Sequence, residues 1–130
     1  MSLKMDAELI KVTPLQAFGK NDTGETHRLE NSAGEEMLLA YRKKGSKSGN
    51  HYHLGKEARK DPEILILLNG EAHIGLEHID HGQTQEVKVK APCKIAFPPK
   101  VIHTIYAIDD IIFLELNSLE EHKRDTLYPE

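Results

Sequence analysis

Glu63-Ile64-Leu65-Ile66-Leu67-Leu68-Asn69-Gly70 is a dense aliphatic run stopped by a turn dipeptide. Its length suits a buried strand rather than a helix, and Asn-Gly is the strongest short hairpin signal. Beyond the turn, Ala72, Ile74 and Leu76 alternate with His73, Gly75 and Glu77, the period of a half-buried strand. Asp80-His81-Gly82-Gln83 marks a further turn, and Val87, Val89 and Ala91 alternate with Lys88 and Lys90. Ile95 and Phe97 repeat the theme before Pro98-Pro99, and Ile111-Ile112-Phe113-Leu114-Glu115-Leu116 forms a last strong strand. Upstream, the short apolar run Met37 to Tyr41 ends in the polar loop 43–49, and an extended segment follows from Asn50 to Leu54. Short strands separated by frequent turns, with no helical period of useful length, predict an all-β sandwich or barrel. Leu54 and the aliphatics of 64–68 are expected in its core.

The chain has 130 residues, enough for one domain that buries roughly two thirds of its unfolded surface without disulfides. It therefore reads as a single domain, 1–130, with a barrel core at about 37–117 and a polar tail, 118–130, with room for one helical turn. Seventeen Lys and Arg against 21 Asp and Glu give a formal charge of −4. With 5% aromatics and no Trp, this balance argues against nucleic acid as a partner. The basic cluster Tyr41-Arg42-Lys43-Lys44 reads as a solvated strand end. No apolar run approaches the roughly 20 residues of a membrane helix, and the N-terminus lacks the apolar core of a signal peptide. The expected location is the cytoplasm, with Met1 to Lys4 a cloning remnant ahead of Met5. Cys93 stands alone, which excludes a disulfide framework and a cysteine zinc site. Eight histidines are the unusual feature, and histidine serves metal binding, proton transfer and pH sensing.

Four residues are candidates for chemistry: His51, His53, Glu63 and His103. His51 and His53 lie two apart on an extended segment, so both rings leave the same face about 7 Å apart. Glu63 opens the next strand, where a buried carboxylate needs a partner, and His103 follows Pro98-Pro99. Three His and one Glu suit a divalent zinc, iron, nickel or manganese ion with open positions for water or substrate. The competing readings are a polar strand with two solvated histidines, a surface carboxylate after Pro62 and a turn histidine. His73, His78 and His81 form a weaker cluster around a hairpin. His27 and His122 lie in polar surroundings and read as solvated, and Cys93 reads as inert.

In that order, these residues resemble the two motifs of the cupin superfamily. His51-Tyr52-His53 carries the His-x-His of the first motif, and Glu63 to Gly70 its Glu-x6-Gly. Pro98-Pro99-Lys100-Val101-Ile102-His103 matches the second motif's Pro-x-Gly-x2-His, except that Lys100 stands at the Gly and Ala107 at the closing Asn. Nine residues separate His53 from Glu63, more than the family's three or four. Glu57 sits at the family spacing, but no Gly follows it six residues on. The charged stretch Gly55 to Pro62 looks like an insertion, which favours Glu63 over Glu57.

The resemblance covers about 37 to 117 and implies a single cupin domain, an antiparallel jelly-roll barrel or double-stranded β-helix. It also implies a divalent metal on His51, His53, Glu63 and His103, and a homodimer formed by pairing sheet edges. Gly49-Asn50-His51-Tyr52-His53 and Asp125-Thr126-Leu127-Tyr128 are similar to stretches of the cupin domains of capsular polysaccharide epimerases and reductases. Ile64 to Gly70 and Ile95 to His103 are similar to sugar 3,4-ketoisomerases, which work without metal and carry Gln where this chain has Glu63. The implied activity is proton transfer next to the carbonyl of a sugar or nucleotide-sugar, with His51 or His53 as base in a metal-free version. Two other functions compete: a metal-dependent dioxygenase of a small organic acid or phenol, and a non-catalytic cupin that binds a small ligand. Tyr52 and Tyr106 are expected on faces opposite the histidines. Beyond Arg28, Arg42 and Arg59 the chain offers no arginine cluster for phosphates.

Overall fold

The computed structural model describes residues 9–130, and the reading of Met1 to Lys4 lies outside them. Among the described residues, ten strands are followed by one short helix. They are β1 (Gln16–Asn21), β2 (Gly24–Glu30), β3 (Glu36–Arg42), β4 (Lys47–His51), β5 (Glu63–Asn69), β6 (Glu71–His78), β7 (Thr84–Lys90), β8 (Cys93–Phe97), β9 (Val101–Ala107) and β10 (Ile111–Glu115), with α1 spanning Leu119–Arg124. They form a six-stranded sheet in the order β1-β2-β3-β10-β5-β8 and a four-stranded sheet in the order β4-β9-β6-β7. Every pairing is antiparallel. The all-β expectation holds, and two strands ahead of residue 37 extend the larger sheet beyond the run read from sequence.

The core lies between the sheets. Ala40, Leu65, Leu67, Phe97, Ile111 and Phe113 come from the larger sheet, and Ala72, Ile74, Ile105 and Ala107 from the smaller. Each such buried Leu or Ile contributes about 1.5–3 kcal/mol relative to exposure. Strand parity decides which side chains share this space. Glu63, Leu65 and Leu67 on β5 are buried, while Ile64 and Ile66 face the other way and are half-buried. Leu68 is exposed and Leu54 half-buried, which corrects their placement in the core.

The Asn69-Gly70 turn is not a hairpin. β5 pairs with β10 and β8, whereas β6 pairs with β7 and β9, so the turn carries the chain from one sheet to the other. Gly70 has φ +86°, and a Cβ there would meet Asp110 O at 2.5 Å and Ile111 Cγ2 at 2.9 Å. The local signal is for a tight turn, and the core between the sheets decides which strands that turn joins. The β6–β7 connection at 80–83 is a true hairpin.

Helix α1 opens with a capping box, Ser118 Oγ accepting from Glu121 N and Glu121 Oε1 from Ser118 N. The segment from 118 is docked, not free. Tyr52 N donates to Leu127 O and Leu127 N to Tyr52 O, both at 2.9 Å. No helix among the described residues is long and apolar enough to cross a membrane.

Candidate metal centre

β4 and the segment just after it, with β5 and β9, bring His51, His53, Glu63 and His103 together, each offering a ligand atom within 4.8 Å of the others. His53, Glu63 and His103 are each 1% exposed. The His51 and His53 ring centroids are 5.1 Å apart, closer than ideal alternation gives. The strand is bulged between Gly49 and His51, and Asn50 takes a left-handed φ of 59°, which tilts the two rings toward one point. Lys100 likewise adopts φ 68°. The lysine at the family's glycine position thus keeps the turn that presents His103, and its N–H donates to His53 O at 2.7 Å.

Two of the imidazoles are fixed in the tautomer a metal requires. His53 Nδ1 lies 2.5 Å from the Asp125 carbonyl oxygen, and His103 Nδ1 lies 3.1 Å from that of Val101. A carbonyl only accepts, so each Nδ1 carries a proton, and in the neutral ring each Nε2 carries the lone pair. Phe97 stacks on the His103 ring at 4.1 Å, which fixes its plane. His53 Nε2 then faces Glu63 Oε2 at 2.7 Å, and His103 Nε2 faces Glu63 Oε1 at 3.4 Å. Neither buried Nε2 has a hydrogen-bond partner other than Glu63 among the described residues. Lone pairs turned on a buried carboxylate are unfavourable until a cation stands between them. The donor set fits a divalent ion.

Charge around the cluster is balanced by residues the sequence reading set aside. Lys60, in the stretch taken for an insertion, is wholly buried. Its Nζ binds Glu63 Oε2, donates to His122 Nδ1 at 2.8 Å and lies 4.0 Å from Glu115 Oε2. His122 is therefore not solvated but packs 5.3 Å from His51, centroid to centroid. A second triad able to hold a cation, Glu63, Glu115 and His122, is occupied by this ammonium. Glu57, the rival carboxylate, turns away and pairs with Arg124 at the surface. Nothing in the sequence of 55–62 or 118–124 distinguishes Lys60 or His122 from their polar neighbours.

Burial pushes the Glu63 carboxyl up; where the His103 and His53 Nε2 atoms are protonated and donate to it, they and the Lys60 ammonium outweigh burial and hold it well below the usual carboxylate range. Burial, with the neighbouring His103, lowers His51 to about 3. Burial and Lys60 lower His122 to about 4. Both rings are neutral and able to ligate or donate. Burial and the nearby Glu63 charge raise Glu115.

Asp125, from the stretch read as a family-like ending, is 1% exposed. Its carboxylate accepts from the backbone N–H groups of Leu54, Lys56 and Glu57 at 2.8, 2.8 and 3.2 Å, tying the 54–57 loop to the segment that holds His53. A cavity of about 260 Å³ opens onto His51, Glu63, His103, Glu115 and His122. Tyr106 is exposed, as its parity predicts. His78 and His81 stack at 4.0 Å on the β6–β7 hairpin, and His73 stands apart beside Glu86.

No protein-family model matches the chain, and no curated protein does. Solved structures match it throughout the barrel. The capsular polysaccharide assembling protein CapF from Staphylococcus aureus aligns at 17% identity and TM-score 0.72, over 95% of this chain and 34% of that one. The oxalate decarboxylase of Lactobacillus farciminis, in a formate complex, aligns at 17% identity and TM-score 0.62, over 79% and 31%. That of Bacillus subtilis, an enzyme with Mn(II) centres, aligns at 14% identity and TM-score 0.60, over 74% and 26%. The chain spans about a third of the CapF chain and less of the decarboxylases. These likenesses, with the two antiparallel sheets and the motif order, show that the chain has a cupin fold.

Proposed function

We propose that the chain is a metal-binding cupin enzyme that moves a proton next to the carbonyl of a sugar or nucleotide-sugar, with His51, His53, Glu63 and His103 as the metal ligands. The observation that supports the metal most directly is the unshared Nε2 of His53, pinned 2.7 Å from Glu63 Oε2 by the Asp125 carbonyl on the far side of the ring. A divalent ion there supplies Lewis acidity, polarising the carbonyl beside which the proton is removed.

The chain's own groups supply the proton transfer. His51 and His53 serve as bases only in a metal-free form, because ligation uses their lone pairs. Glu115 lines the same cavity and is the carboxylate placed to take the proton. Lys60 donates to His122 Nδ1, so the neutral His122 ring carries its proton on Nε2 and is a hydrogen-bond donor to a substrate oxygen. The similarity to CapF supports a carbohydrate ligand, and the similarity to oxalate decarboxylases supports a small organic acid as the second reading.

Proton NMR in deuterated water tests the proposal. Zinc-loaded protein should catalyse exchange of the α-proton of keto-sugars or nucleotide keto-sugars, with the rate lowered about 10²-fold or more in Glu115→Gln. Absence of exchange across such a panel, together with iron-dependent oxygen uptake on small organic acids, would move the assignment to a dioxygenase.

A further inference from the structure

We propose that the cavity of the metal centre receives its ligand through an oxyanion, a carboxylate or a phosphate, seated on the guanidinium of Arg42. The reading of Tyr41 to Lys44 as a solvated strand end does not hold for Arg42. On β3, Leu38, Ala40 and Arg42 share a face, and the first two are buried in the barrel. Arg42 therefore points inward and lines the cavity together with Thr26, Ile105, Phe113 and the metal-centre residues.

Its guanidinium is held rigidly but has no counter-charge within ion-pair distance among the described residues. Nη1 donates to Tyr41 O at 2.9 Å and Glu25 O at 3.2 Å, and Nη2 to Thr26 Oγ1 at 3.0 Å. All three acceptors are neutral, and Nε–H has no acceptor among the described residues. The group also stands 5.8 Å from the Phe113 ring centroid. The other arginines meet carboxylates within 4.0 Å: Arg28 with Glu36, Arg59 with Glu121 and Arg124 with Glu57. Among the described residues Arg42 alone of the four does not, and Glu115 acts on it only through space. A partly buried fork with an unused donor and no anion is arranged for bidentate or charge-assisted recognition.

The charge in the cavity points the same way. Arg42 and Lys60 are set against Glu63 and Glu115, so a divalent ion leaves the cavity net positive, and an anionic ligand restores balance. This last step rests on the metal-centre reading, whereas the Arg42 geometry does not. At about 260 Å³ the cavity lies below the roughly 300–1,000 Å³ of pockets for drug-sized ligands. It has space for the acidic end and reacting carbon of a ligand whose remainder lies outside.

Titration of chelator-treated, metal-free protein with inorganic phosphate and, separately, acetate tests this, with the Arg42 Nε–H resonance followed by ¹H–¹⁵N NMR. A saturable shift at Arg42 is expected. Phosphate alone causing it would assign a phosphate group, and acetate alone a carboxylate. Arg42→Gln should weaken binding about ten- to hundredfold, read at the amides of Thr26 and Phe113, and Arg42→Lys by less. The wild-type titration decides the matter even if Arg42→Gln does not fold. No saturable change at Arg42 with either anion would overturn the inference. Because metal is absent throughout, that result is independent of whether the protein binds metal stoichiometrically.

Discussion

Lys60 places a positive charge in the barrel wall, wholly buried and bonded to the carboxylate of the candidate metal centre. Its ammonium orients Glu63 and occupies the space among Glu63, Glu115 and His122 that a second cation would need. Removing one partner of a buried charge network leaves the others uncompensated, at about 3–5 kcal/mol. Lys60→Met should therefore lower stability by about that amount in urea denaturation. In the folded variant, elemental analysis should find metal rising from about one toward two equivalents as the second triad opens. No loss of stability would show that the network is not coupled to folding. His51, His53, Glu63 and His103 were legible in sequence because motif order and strand parity single them out. Lys60, Arg42 and His122 were not, because polar residues in polar stretches look solvated until the fold turns them inward.

Asp125 shows how a residue outside the ligand set can serve the site. Its carboxylate takes three backbone N–H groups of the 54–57 loop, and its carbonyl fixes the tautomer of His53. Asp125→Ala should cost about 2 kcal/mol or more in stability, since buried donors lose their acceptor. The main-chain carbonyl behind His53 remains in this variant, so metal binding should weaken through release of the 54–57 loop that fixes the position of that carbonyl, by about tenfold. Asp125→Asn keeps one acceptor oxygen and should recover part of both losses, and equal behaviour of the two variants would refute this role. The strands with apolar alternation were readable. β1 and β2 were not, because β1 is exposed at all six positions and an open sheet edge imposes no apolar period. The Asn69-Gly70 corner was misread for a related reason: a turn dipeptide fixes local backbone geometry, but burial chooses the partner strand.

Over the whole molecule, the site ties stability to pH in the metal-free protein. His51 and His122 fall from 6.5 to about 3 and about 4 on folding. The unfolded chain therefore binds more protons than the folded one across that window. Their contribution is complete above pH 6.5 and is lost as pH falls toward 4. Glu63, held below 4.5, acts in the same direction, its contribution present above 4.5 and lost as pH falls further. Glu115, raised above 4.5, opposes them, stabilising at low pH and losing that effect as pH rises through its folded value. With three groups against one, the urea midpoint should fall from pH 6.5 to 4, and a flat or rising profile would contradict this balance.

The central claim is that the two sheets converge His51, His53, Glu63 and His103 on one cation. The most direct measurement is the metal content of protein purified without chelator or affinity tag, for wild type and for His53→Ala. About one equivalent of a divalent metal in the wild type, lost in the variant, is the predicted result. Wild-type protein that stays metal-free after incubation with zinc, iron, nickel and manganese would contradict it.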